Sequence, residues 1–276
     1  MKLKLGIFWK ILVPFAVTQA LGIYAALRFL PNLGQSRPTQ WSDFSYVDLI
    51  IFVALAACFI ILIKRFKPAA SIFFKVFLAL IIFSGVQAVS GIWFGEVGSM
   101  LAALLAVAIF WFYNNVLWQD LIMIVTFAGI GAVIGLSFVP QTVIWFLVIL
   151  SFYDIVAVYK TKHMVALAEG MIRSRAIFGF VIPASPAGLG ERMSRIAPGD
   201  QFMILGSGDV ILPLLLAASL VRISLPSSIT VAIFSILGLF LMHLIFNNQK
   251  TRRPMAALPP IALLSIIGYL LVLIIF

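Results

Sequence analysis

Long apolar runs dominate this chain and leave it few ways to fold. Nine stretches, roughly 7–30, 46–63, 72–95, 100–118, 121–139, 142–159, 201–221, 228–246 and 258–276, each approach the length that a helix needs to cross a bilayer. Lipid offers no water to backbone N–H and C=O groups, so a spanning segment must satisfy its own, as a helix does. The chain therefore reads as an all-α polytopic membrane protein with nine transmembrane helices. Its composition agrees: 63% of its 276 residues are hydrophobic and 10% charged, with a mean hydropathy of +1.18. Soluble domains carry about a quarter charged residues.

A net charge of +10 could point to nucleic acid. The distribution excludes that reading, because the basic residues cluster in short loops between apolar runs. With the N-terminus inside, sixteen of the nineteen Lys and Arg residues fall on the cytoplasmic side, and only Arg28, Arg37 and Arg222 fall outside. Such a bias fixes orientation, here N-terminus inside and C-terminus outside. Met1-Lys2-Leu3-Lys4 before an apolar run resembles the opening of a signal peptide. The run continues to about Leu30, longer than a signal peptide's apolar region, so it is expected to stay as the first span. The single Cys58 excludes an intrachain disulfide.

Three parts follow: a six-span part at 1–160, a cytoplasmic loop at 161–200 and a three-span part at 201–276. In the loop, Met164, Val165, Leu167, Ala168, Met171 and Ile172 share a helical face, which predicts an interfacial amphipathic helix. The Gly, Pro and Ser of 179–198 predict irregular or extended backbone.

Of nine acidic residues, Asp43, Asp48, Glu96 and Asp120 sit in loops or near span ends, and Glu169, Glu191 and Asp200 sit in the long loop. Only Asp154 and Asp209 lie well inside spans. A charge at a helix centre costs about 2.5–3.5 kcal/mol on insertion scales. At 1.5 Å per residue, Asp154 should lie roughly 8 Å and Asp209 roughly 12 Å from the cytoplasmic edge. Spans six and seven run in opposite directions, so the two carboxylates can come level. Two carboxylates sharing a low-dielectric site cannot both ionise, and the pair holds one proton between them. That supplies a general base beside a general acid, as water attack on an amide requires.

The surroundings add detail. Leu205-Gly206-Ser207-Gly208-Asp209 places two glycines beside an intramembrane acid, where each costs about 1 kcal/mol relative to Ala in a helix. They permit close approach of another helix or of a substrate backbone. Tyr153 either donates a hydrogen bond or walls the site, or simply packs. Pro254-Met255-Ala256-Ala257-Leu258-Pro259-Pro260 opens the last span. Adjacent prolines remove donors and force extended geometry before them. That leaves either unpaired backbone groups lining a cavity, able to pair with an extended peptide, or an ordinary first helical turn.

Tyr153-Asp154 in span six, Gly206-Ser207-Gly208-Asp209 in span seven and an Ala-Leu-Pro element at Ala257, Leu258 and Pro259 together resemble the presenilin and signal peptide peptidase family of GxGD intramembrane aspartyl proteases. Asp154-Ile155-Val156-Ala157-Val158-Tyr159 looks like the family's span-six block, and Leu205 precedes the motif as it often does in presenilins. The match covers roughly 145–265. The resemblance implies that Asp154 and Asp209 are the catalytic pair and that the loop before span seven helps to bind substrate. It implies that Tyr153, Leu205, Gly206, Gly208, Ala257, Leu258 and Pro259 shape the site. The family's Pro-Ala-Leu stands here as Ala256-Ala257-Leu258, with proline following at Pro259. The N-inside orientation is that of presenilins, and the short loops resemble those of microbial homologues, which implies a microbial plasma membrane and a site in its cytoplasmic half.

The expected partners are transmembrane-helix substrates and the bilayer, with a homo-oligomer compatible and neither cofactor nor metal required. HExxH is absent, and His163 and His243 are the only histidines, which argues against a zinc protease. Ser207 and His243 could form a dyad, but no motif frames the serine. Two other readings stand beside the leading one. Prepilin peptidases also use a GxGD aspartate. A proton- or ion-coupled transporter would also hold paired midplane acids and broken helices, although no inverted repeat is evident.

Overall fold

The computed structural model describes residues 5–33, 38–40, 43, 67–113, 115–160, 171, 177–193, 202–249 and 255–275. The expected span at 46–63 lies outside these residues, as does all of the expected amphipathic helix except Met171. Among the described residues, six helices are long and apolar enough to cross a membrane.

Helix α1, Leu5–Phe29, continues through Pro14, whose carbonyl accepts the Thr18 hydroxyl at 2.7 Å. Helix α2, Lys67–Tyr113, is made of two arms. It breaks at Gly95, whose φ of 65° favours glycine. The Ser90 hydroxyl reaches the Ser99 carbonyl at 3.4 Å, nine positions on. In a continuous helix those positions would be about 13 Å apart, so the two arms fold back on each other. The expected spans at 72–95 and 100–118 are thus the arms of one hairpin, with Gly95 replacing the expected loop.

Helix α3, Val116–Ser137, starts at an Asn115 cap that accepts the Trp118 N–H at 3.1 Å. Helix α4, Pro140–Ile155, begins with proline at its first position and ends in a π turn, Val156–Lys160. Helix α6, Leu225–Asn247, is capped by Ser224. Helix α7, Leu258–Ile275, is the last element.

The all-α expectation needs one correction. Strands β1, Gly179–Pro183, and β2, Phe202–Gly206, pair antiparallel, with Gly179 opposite Gly206 and Pro183 opposite Phe202. The expected seventh span therefore opens as a strand. Helix α5 begins only at Ser207 and runs to Ser219, which makes Asp209 its third residue. Its 13 residues reach about 20 Å, short of a hydrocarbon layer of about 30 Å. Strand β2 before it and the 3₁₀ turn Leu220–Arg222 after it supply further length.

Short as it is, α5 is central. It packs against α1, α3, α4, α6 and α7, and every residue from Pro213 to Ser219 is buried. One apolar cluster gathers Leu214–Ala218 with Val143, Val231 and Leu258, and another joins Leu205 and Val210 to Phe180, Leu239 and Ile261. Asp209 sits beside Val210, at the end of α5 that meets the strands.

Candidate active site

Three chain segments converge on the two intramembrane acids. Asp154 is the next-to-last residue of α4, directly before the π turn. Turns of this kind often mark functional sites. The residue is 6% exposed. The N–H of Leu258 donates to its Oδ2 at 3.3 Å, with the Ala257 N–H alongside.

Asp209 lies in the first turn of α5. A carboxylate there faces the positive end of the helix dipole. The Gly206 N–H turns back towards it, and the Asp154 charge acts on it. The pair predicted from the sequence is therefore brought together. The route differs from expectation, since Asp209 is delivered by a strand that passes straight into a helix. Pro213 stands four residues after Asp209 and has no N–H, so the Asp209 carbonyl has no helical donor.

The neighbours divide. Leu205 is a buried residue of β2, and Gly206 is both the last strand residue and the cap of α5. A Cβ on Gly206 would lie 3.2 Å from Asp209 Oδ2, so glycine there leaves room for the carboxylate. Gly208 is exposed, and a Cβ on it would meet only Leu212, at 4.0 Å. Ala257 is half-buried in the non-helical stretch 255–257, and Leu258 and Pro259 form the first two positions of α7. The prolines thus occupy an ordinary first turn, where missing donors cost nothing. The Leu258 N–H, at the start of that turn, donates to Asp154. Tyr153 is 52% exposed on the outer surface.

Ser207 opens α5, whereas His243 is buried in α6 against Phe8, with Nε2 at 2.7 Å from Asn247. The described residues contain no cluster of three metal-ligating side chains.

One contact escaped the sequence reading. Gln19, buried within α1, donates from Nε2 to the Val210 carbonyl at 3.1 Å. It ties the first helix to the residue after Asp209. The available signal was a lone amide in an otherwise apolar run.

A helical membrane chain that brings two carboxyls within electrostatic reach of each other, one buried and one partly buried, holds the kind of pair that acid–base hydrolysis of a peptide inside a bilayer requires. The comparisons with known proteins agree. The family model described as "Signal-peptide peptidase, presenilin aspartyl protease" matches residues 14–276, and the chain belongs to that family. It is an intramembrane aspartyl protease. Two solved structures, both of a presenilin family intramembrane aspartate protease, share the fold. The first, in space group C222, aligns over 96% of this chain and 97% of its own, with a TM-score of 0.64 and 20% identity. The second, in P2, aligns over 100% and 99%, with a TM-score of 0.63 and 23% identity. No curated protein sequence matches.

Proposed function

We propose that Asp154 and Asp209 are the catalytic pair of this protease and that they cut peptide bonds within transmembrane helices. The observation that carries the proposal is their meeting, from α4 and α5, beside the start of α7. One carboxylate takes a proton from water as its oxygen bonds to the scissile carbonyl carbon. The other acid donates its proton, the amide nitrogen is protonated, and the C–N bond breaks. The proton one acid gives up is matched by the proton the other takes from water, so the pair still holds one shared proton at the end, with the two roles exchanged.

A substrate helix enters from the lipid and unwinds beside the long loop. Leu205, Gly206 and Gly208 form one wall, and Ala257, Leu258 and Pro259 form the other. Tyr153, on the lipid side of Asp154, meets the approaching helix. Nine spans with the N-terminus inside remain the topology that the charge distribution supports, with the site in the cytoplasmic half of a microbial plasma membrane. The site needs residues of one chain only, so a monomer or a homo-oligomer would serve equally.

The test is reconstitution into vesicles with a tagged single-span substrate. Wild type should cut within the apolar segment, and Asp154→Ala and Asp209→Ala should each abolish cleavage. Wild-type cleavage by either variant would refute the assignment.

A further inference from the structure

Two strands of five residues are not stable by themselves in water, and in lipid a free strand edge is worse. Something must hold β1 on the side away from β2. In an antiparallel pair, a residue's N–H and C=O point to the same side. Phe178, an even position, faces β2, since its carbonyl takes the Ser207 N–H at 3.3 Å. The odd positions face the other way, and a side chain meets each of them. Gln119 Nε2 donates to the Ile177 carbonyl at 2.8 Å and to that of Gly179 at 3.4 Å. Asp120 Oδ1 accepts the Val181 N–H at 2.8 Å. Lys10 Nζ donates to the Pro183 carbonyl at 3.0 Å and to that of Ala184 at 2.9 Å.

The three side chains stand where a third strand would stand, and they come from α1 and α3. We infer that Lys10, Gln119 and Asp120 are positioning residues that fix the register of β1, and through β2 the placement of Gly206 and Asp209, before substrate arrives. A one-residue slip in a strand pair turns every residue to the opposite face. Here such a slip would turn Gly206 away from the Asp209 carboxylate. The chemistry of the clamp matches that purpose. Gln119 and Lys10 donate to carbonyls, and Asp120 accepts from an N–H. Gln119 is 2% exposed and its Oε1 has no partner among the described residues, so its orientation is set by the two carbonyls that it serves.

The inference rests on the aspartate pair proposed above, and the experiment separates the two. Full-length protein in vesicles is given the tagged substrate, and kcat, KM and the cut positions by mass spectrometry are measured for Asp120→Ala, Asp120→Asn, Gln119→Leu and Lys10→Met. Asp120→Ala and Gln119→Leu should lower kcat about tenfold, the rate equivalent of one lost buried hydrogen bond, with KM little changed and the cuts spread over neighbouring bonds. Asp120→Asn keeps an oxygen for the Val181 N–H and should restore both rate and cut position. Wild-type kcat and cut position in Asp120→Ala and Gln119→Leu would overturn the clamp. An Asp120→Asn variant as impaired as Asp120→Ala would do so too. If Asp120→Ala does not fold, Lys10→Met decides, because it removes only the bonds at the strand's end. Spread cuts would support the clamp, and an unchanged cut pattern would overturn it. Asp209→Ala is run in parallel. Cleavage by that variant refutes the aspartate pair, whereas a silent Asp209→Ala with wild-type clamp variants refutes the clamp alone.

Discussion

The backbone N–H of Leu258 meets Oδ2 of Asp154 at 3.3 Å, joining positions 104 residues apart. The start of the last helix thus orients a carboxyl carried by the fourth. Hydrogen bonds to a charged acceptor are about twice as strong as neutral ones. Proline fits the first position of a helix, so Leu258→Pro removes this donor with little backbone strain. It also removes the leucine side chain, which Leu258→Ala removes alone. Leu258→Pro should have a kcat about tenfold or more below that of Leu258→Ala. Equal kcat values would mean that the N–H does not matter.

Acid dependence should report the pair rather than either residue. Below the optimum both carboxyls are protonated and the base is lost. Above it both are ionised and the acid is lost. The rate therefore falls on both sides, giving a bell-shaped profile of kcat/KM. Cleavage of the tagged substrate in vesicles at fixed ionic strength measures it. A rate that stays flat from about pH 4 to about pH 9 would contradict shared-proton chemistry.

The two motif glycines should respond unequally. A methyl group on Gly206 presses on Asp209 Oδ2, at 3.2 Å, and must displace it. Gly206→Ala should lose activity on the order of a hundredfold, as positioning losses at an active site often do. Gly208 has space for a methyl group and lies in the first turn of α5. Gly208→Ala should fold at least as stably, gaining up to about 1 kcal/mol of helix propensity, and should lose less activity than Gly206→Ala. Melting temperature and kcat on the same preparations test both statements.

Gln19 offers a case where stability and activity should part. Replacing it with Met breaks the bond to the Val210 carbonyl, but it also removes a buried Oε1 that has no partner. The two effects offset, so stability should move by no more than about 1 kcal/mol. Helix α5 loses its tether to α1 beside Asp209, so kcat should drop severalfold. A kcat that changes no more than the melting temperature implies would assign Gln19 to packing alone.

Most of the described spans, and the meeting of the two acids with the start of the last helix, were legible because hydropathy and motif spacing are local. Strand β2 was not. Phe202-Met203-Ile204-Leu205 is a short apolar run beside a helix, and periodicity cannot separate a buried strand from the first turn of a span. Its partner, Gly179–Pro183, lies far back in the chain, in a loop readable only as irregular or extended. The arms of α2 were legible as two spans, although not how sharply Gly95 turns them. Lys10 read as one more inside charge and Asp120 as a span-end acid. The backbone groups that they hold are far away in sequence, and side-chain bonds to distant backbone leave no periodic trace.

Gly206 ends the strand and caps the helix with no residue between. Nothing flexible insulates Asp209 from β2, so the strand acts as a lever with that carboxylate three residues from its tip. Tension along 202–206, from a peptide or from a small extended molecule lying against it, is passed to the carboxylate without slack. An inhibitor of this protease therefore need not reach either acid. It would be enough to seize the strand.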